Sequence, residues 1–213
     1  MTSAAESTEA TKVYVVDDDP GMCESVKWLL ESIDIVPTLC LSADEFINQY
    51  NGDRPACIIL DVRMPKMSGP KLQEHINKTA PYISIIFVSA HGDIRMSVAA
   101  LQGGAQDFIE KPYEPQRLLE AVQTGVESAG HRFAEHQQRE LIATRLATLT
   151  PREREILTFV IEGYPSQNIA RKLGMSVKTV DVHRARIKNK TESESISTLV
   201  RDILRAGLDV RSK

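Results

Sequence analysis

Short apolar, β-branched runs alternate with longer amphipathic segments through the first 128 residues. KVYVVD (12–17), DIVPTLC (34–40), ACIIL (56–60), SIIFVS (84–89) and DFIEK (107–111) predict strands. Between them, 22–33, 43–50, 70–79 and 94–103 repeat their apolar positions at helical spacing, as Val26, Leu29, Leu30 and Ile33 do, and a fifth helix is predicted from 114 to about 128. Strands separated by helices of this length imply right-handed βαβ units and a parallel sheet covered on both faces. The expected fold is α/β, a flavodoxin-like five-stranded sheet in the order 2-1-3-4-5.

From 129 the pattern becomes polar and helical, with EHQQRE at its centre and Leu141, Ile142, Leu146 and Leu149 recurring at roughly helical spacing. This predicts a linker helix over 129–147 after a break at Gly130, serving as a spacer or as half of a dimeric coiled coil. Residues 148–213 then read as an all-α unit with clear punctuation. Thr150, Pro151 and Glu153 form a capping-box pattern, and Gly163 closes that helix. Ser166 is the predicted cap of a second helix ending at Gly174, and Ser176 that of a third running from 177 to about 190. Two helices joined by the tight turn LGMS are the mark of a helix-turn-helix, whose second member enters the major groove. A last helix is predicted over 195–208, with Leu199, Ile203 and Leu204 on one side.

Charge separates these halves. Residues 1–147 carry a net charge of −8 and residues 148–213 a net charge of +5, which predicts two domains with different partners, a polyanion for the rear one. The start of the chain, MTSAAESTEATK, has no apolar core of a signal peptide and predicts a disordered tail over 1–11. No apolar run approaches the roughly 20 residues of a membrane helix. Cys23, Cys40 and Cys57 show no metal-binding spacing and read as buried thiols in a reducing, cytoplasmic setting.

The chemistry gathers at the strand ends. In the order 2-1-3-4-5 the ends of the first, third, fourth and fifth strands line one crevice, and they carry Asp17 and Asp18, Asp61, Ser89 and Lys111. A lone aspartate after a strand is ordinarily a turn residue. Three convergent carboxylates repel one another and call for a divalent cation, and an all-oxygen site suits Mg²⁺. Asp19 is instead the expected cap of the first helix, with Pro20 at its first position. The Asp61 carboxylate is a competent nucleophile towards phosphorus, with the Lys111 ammonium and the Ser89 hydroxyl placed to neutralise a phosphoryl group. A turning-over phosphohydrolase would need a general acid, and the residue two after Asp61 is Arg63, so slow self-dephosphorylation is expected and not enzymatic turnover.

"VVDDD", "LDVRMPKMSG", "VSAHGD" and "IEKPYE" resemble the four motif blocks of the receiver domain of two-component response regulators, over about 12–128. "LTPREREILTFVIEGYPSQNIARKLGMSVKTVDVHRARIKNK" resembles the LuxR-type DNA-binding domain, the combination is similar to the NarL/FixJ response regulators, and "TVDVHRA" and "GYPSQNIA" are closest to the FixJ branch. The resemblance implies that a sensor histidine kinase phosphorylates Asp61. It implies that Asp17, Asp18, Asp61 and the Arg63 backbone carbonyl serve Mg²⁺, that Ser89 and Phe108 are the switch pair, and that the Lys111–Pro112 bond is cis. It further implies a homodimer on phosphorylation, binding to double-stranded promoter DNA, and RNA polymerase as a further partner. Ser89 stands where threonine is more usual. Phe108 has an alternative reading as a core residue.

Lys178, Thr179, Val182, Arg184, Arg186 and Lys190 are the candidate DNA contacts on the third helix, while Val180, Ile187 and His183 face inward. Asp181 departs from the pattern and would favour a base-edge donor over phosphate. The competing functional reading is a transcription factor whose receiver is a dimerisation scaffold indifferent to phosphate.

Overall fold

Residues 10–90 and 94–211 are described by a computed structural model of the chain. Most of the expected N-terminal tail, and His91, Gly92 and Asp93 of the third motif block, lie outside the described residues. The chain divides into two compact units, Met1–Ala134 and Glu135–Lys213.

In the first unit, β1 (Lys12–Val16), β2 (Thr38–Cys40), β3 (Ala56–Asp61), β4 (Ser84–Ser89) and β5 (Asp107–Glu110) form one parallel sheet in the order β2-β1-β3-β4-β5. The helices are α1 (Pro20–Glu31), α2 (Ala43–Gln49), α3 (Gly69–Thr79), α4 (Ile94–Gln102) and the start of α5 (Pro115–Ala147). Side chains alternate across a strand, and the alternation sorts the core. Val13, Val15, Cys57, Ile59, Ile86, Val88 and Ile109 pack with Cys23, Val26 and Leu30 of α1 and with Leu118 and Val122 of α5. The neighbours between them, including Tyr14, Val16, Ile58, Leu60, Ile85 and Phe87, pack on the other face with Phe46, Leu72 and Ile76. All three cysteines are buried free thiols.

Asp19 caps α1, its side chain accepting from the backbone N–H groups of Gly21 and Met22, with Pro20 opening the helix as expected. β2 is shorter than the 34–40 predicted. After α1 the backbone turns through Asp34 at φ +62°, the Ile35 N–H returns to the Leu30 carbonyl, and Pro37 offers no ladder N–H.

The expected break at Gly130 is absent, and α5 runs from Pro115 to Ala147. The cost of a helical glycine, about 1 kcal/mol, is offset by packing on both sides of it. Phe133 meets Tyr82 edge-on with ring centroids 4.8 Å apart, and Arg132 bonds Ser128 Oγ and Gln106 Oε1.

In the second unit, α6 (Pro151–Ile161), α7 (Ser166–Leu173), α8 (Val177–Lys190) and α9 (Ile196–Arg205) enclose a core of Ile156, Leu157, Ile169, Val180, Ile187, Leu199 and Ile203, joined by Ile142 and Leu146 of α5. The Thr150–Glu153 capping box forms, and Gly163 and Gly174 stand at φ +84° and +64° beyond the helices they close. Ser176 caps α8 by accepting from the Thr179 N–H at 3.0 Å. One expectation fails. Ser166 is not a cap: α7 starts one residue earlier than expected, Pro165 occupies the cap position with no side chain to offer, and the Ser166 hydroxyl bonds Asp181 and Arg184 of α8. On α9, Leu199 and Ile203 are buried and Leu204 is 63% exposed. Among the described residues no helix is long and apolar enough to cross a membrane.

Candidate functional site

Strand alternation assembles the first site. Asp17, Asp61 and Lys111 each continue, at a two-residue step, a row of side chains on the α1/α5 face: Val13 and Val15, Cys57 and Ile59, and Ile109. The parallel register sets Val16 beside Leu60, so the strand ends meet. Lys111 Nζ donates to Asp17 Oδ2 at 2.9 Å and to Asp61 Oδ1 at 3.2 Å. The second oxygen of Asp61 accepts the Arg63 backbone N–H at 2.7 Å, and that of Asp17 accepts the Asp19 N–H at 2.9 Å. Asp18, one residue off the row, is exposed.

Two largely buried carboxylates thus share one ammonium. Burial pushes the Asp61 carboxyl above its ordinary value, and the charge of Asp17 adds to this, while the Arg63 N–H and Lys111 oppose it. Burial alone would depress the Lys111 ammonium, but its hydrogen bond to Asp17 and the charges of both aspartates outweigh that and hold it above its usual value. Among the described residues no three carboxylate, imidazole or thiol side chains are grouped closely enough to hold a metal ion. The donors themselves are all oxygens carrying more negative charge than one lysine balances. This fits a hard cation whose shell is completed by water.

Ser89 ends β4 and is 2% exposed, and its backbone carbonyl accepts the Lys111 N–H at 2.8 Å. Phe108 is half-buried, tilted against Phe87 at 6.2 Å between centroids. The Lys111–Pro112 peptide is cis. Gly69 had no assigned role, yet a Cβ there would stand 2.4 Å from the Asp61 carbonyl oxygen and 2.9 Å from Phe87. The signal was the glycine that follows the aspartate in "LDVRMPKMSG".

The second site is the outer surface of α8. Val180 and Ile187 are buried, whereas Lys178, Thr179, Val182 and Arg186 are exposed and share the solvent side. Arg184 is half-buried, with Nη1 donating to Ser166 Oγ at 3.0 Å. Lys190 is drawn away from that surface: its Nζ lies 2.7 Å from Oε2 of Glu153, which also accepts the Thr150 N–H. Burial works against the Glu153 carboxylate, but Lys190 and Thr150 outweigh it and hold the group below its usual value. A buried glutamate within a capping box needs a cation, which the sequence pattern alone left unassigned.

Comparison with known proteins places both halves. Residues 13–123 match the response regulator receiver domain family, and residues 147–202 match the luxR family of bacterial regulatory proteins. Over 195 residues, covering 92% of this chain and 86% of the relative, the sequence is 37% identical to the response regulator protein TodT of Pseudomonas putida. It is 35% identical to the transcriptional regulatory protein FixJ of Bradyrhizobium diazoefficiens over 196 residues, 92% of this chain and 96% of FixJ. The structure is similar to that of the response regulator StyR, with a TM-score of 0.75 at 35% identity, covering 92% of this chain and 99% of the other.

Proposed function

The chain belongs to the response regulators that join a receiver domain to a LuxR-type DNA-binding domain, as FixJ proteins do, and from that membership we propose that Asp61 is its phosphoacceptor and α8 its DNA reader. The receiver then spans 12–128, the linker 129–147 and the DNA-binding domain 148–213, after a tail over 1–11. The family makes it a transcription regulator of a two-component system, which implies a histidine kinase and DNA as partners.

The observation that carries the proposal is the single ammonium of Lys111 held between Asp17 and Asp61 at the end of the sheet. An Asp61 carboxylate oxygen attacks phosphorus, an O–P bond forms, and the N–P bond to the kinase histidine breaks, returning its electron pair to the imidazole. Lys111 loses little in this step, since it exchanges a carboxylate oxygen for a phosphoryl oxygen. Ser89 donates its hydroxyl to a second phosphoryl oxygen. Receiver domains generally bind Mg²⁺ at this place, and the ion would be held by Asp17, Asp18, Asp61 and the Arg63 carbonyl, supplying positive charge to the transferring group. Asp18 would contribute from the exposed rim.

Drawing Ser89 inward frees space into which half-buried Phe108 repacks, shifting an existing equilibrium of the receiver surface. The exposed apolar row Ile94, Val98 and Leu101 on α4 supports a homodimer formed through that face. Two α8 helices then meet half-sites about one helical turn apart, and RNA polymerase is engaged from the promoter. Lys178, Thr179, Val182, Arg184 and Arg186 are the proposed contacts, with Lys190 reserved for Glu153. A cytoplasmic location follows from these partners.

The test is Asp61→Asn with a small phosphodonor and Mg²⁺. Intact mass should show one added phosphoryl on the wild type and none on the variant, and only the wild type should dimerise in response. Equal phosphorylation of both would overturn the assignment.

A further inference from the structure

An acid on the exposed side of a basic helix needs an account. α8 carries five cationic side chains, Lys178, Arg184, Arg186, Lys188 and Lys190, against one acid, Asp181. A carboxylate turned towards phosphate would weaken binding, yet Asp181 is held in place. Ser166 Oγ, at the start of α7, donates to Asp181 Oδ1 at 2.8 Å and accepts from Arg184 Nη1 at 3.0 Å. A hydroxyl has one proton. With the guanidinium donating to the serine oxygen, that proton is directed at the carboxylate, so the relay from Arg184 through Ser166 to Asp181 has a single polarity. It uses one oxygen of Asp181 and keeps the acid and the arginine from neutralising each other directly.

Resting on the DNA-reading function above, we propose that Asp181 is a specificity-determining residue that reads the N4 amino group of a cytosine, and that Ser166 is the positioning residue that orients it. In the major groove a carboxylate needs a donor. Cytosine offers N4–H₂ alone, whereas adenine places the acceptor N7 beside its amino group, where it repels an anion. Guanine and thymine present acceptors. Cytosine is therefore the base that a fixed aspartate selects, and Ser166 supplies the fixing across the α7–α8 turn without a DNA contact of its own.

The experiment uses the full chain with Mg²⁺ and beryllium fluoride. Base preferences are read by selection from randomised duplexes, then by affinity for duplexes that differ at one base pair. The wild type should prefer cytosine at one position of each half-site by roughly fivefold or more, the lower range for a base-edge contact. Asp181→Asn should move that preference to adenine. Ser166→Ala should flatten it without changing preferences elsewhere or the salt dependence, and Ser166→Thr, which keeps the hydroxyl, should restore it. If Asp181→Asn and Ser166→Ala keep the wild-type preference at every position, or Ser166→Ala weakens all duplexes equally, the inference is overturned while DNA reading stands. Wild-type binding that ignores sequence would remove the DNA-reading function as well.

Discussion

Lys111 Nζ lies 3.2 Å from Asp61 Oδ1 while also bonded to Asp17. One cation therefore serves two carboxylates at the carboxyl ends of the strands. Asp61 is held where its ionised form is disfavoured, since burial and a like charge both oppose it. Strain of this kind is released when the site receives positive charge.

Lys111→Met should expose that cost. Removing one partner of a largely buried charge group leaves the other charges uncompensated, a loss of about 3–5 kcal/mol for a buried pair and less at this rim. The folded state already binds the Asp61 proton more tightly than the unfolded state, so the contribution of the protonated carboxyl is full below the unfolded pKa and fades as pH rises through the folded one. The variant should accordingly lose most stability relative to wild type near neutrality and recover part of it just above the ordinary carboxylate range. Urea unfolding of both proteins across that range checks the sign; a constant difference with pH would refute it.

Gly69→Ala should damage the site from behind. Its Cβ would fall 2.4 Å from the Asp61 carbonyl oxygen, and backbone cannot give way as a side-chain tip can. Overpacking of this sort costs about 1–3 kcal/mol. Because the displaced atom belongs to Asp61 itself, phosphorylation by a small phosphodonor should slow in the folded variant. Thermal unfolding and a phosphorylation time course at a temperature where the variant is folded separate the two effects.

Much of this was legible before any coordinates. Period-2 alternation places Val13, Val15 and Asp17 on one face, with Cys57, Ile59 and Asp61 beside them, so the meeting of Asp17 with Asp61 and Lys111 follows from counting by twos. The same count sets Asp18 apart. Helix caps written as local pairs, Asp19 with Pro20 and Thr150 with Glu153, were equally readable. Features set by distant partners were not. Gly130 continues a helix because Phe133 and Arg132 are held from across the fold, Ser166 bonds residues 15 and 18 positions on and leaves α7 without a side-chain cap, and Lys190 pairs with Glu153, 37 positions back. Local propensity says nothing about such pairings.

Lys178 and Lys190 stand on the same helix and should behave oppositely. Lys178 is exposed, and Lys178→Ala should weaken binding across all sequences and lower the salt slope by about 1. Lys190→Ala should leave the slope nearly unchanged and lower stability instead, by about 1 kcal/mol once its partial exposure is allowed for. The depressed Glu153 carboxyl contributes stability above its unfolded pKa that is lost as pH falls through the folded one. Removing Lys190 should thus also shrink the acid sensitivity of the second unit. Salt titrations of DNA affinity with paired acid unfolding curves decide it, and a full unit lost from the slope in Lys190→Ala would place that lysine on DNA.

Two glycines five residues apart in α5 offer a final contrast. At Gly125 an added Cβ would lie 2.7 Å from Cys57 Sγ and 3.2 Å from both Ile86 and Ser84, so the helix rests directly on the sheet there. Gly125→Ala should cost about 1–3 kcal/mol. At Gly130 the nearest atom to such a Cβ is Thr11 Oγ1 at 3.7 Å, an ordinary contact, and the residue is helical. Alanine loses less backbone entropy in a helix than glycine, so Gly130→Ala should stabilise by about 0.5–1 kcal/mol. Calorimetry of the full chain should show the first unit melting lower in one variant and higher in the other. The second result bears on the linker itself, because a chain that turned at Gly130 would use the freedom of glycine and be harmed by alanine, whereas an unbroken α5 gains from it.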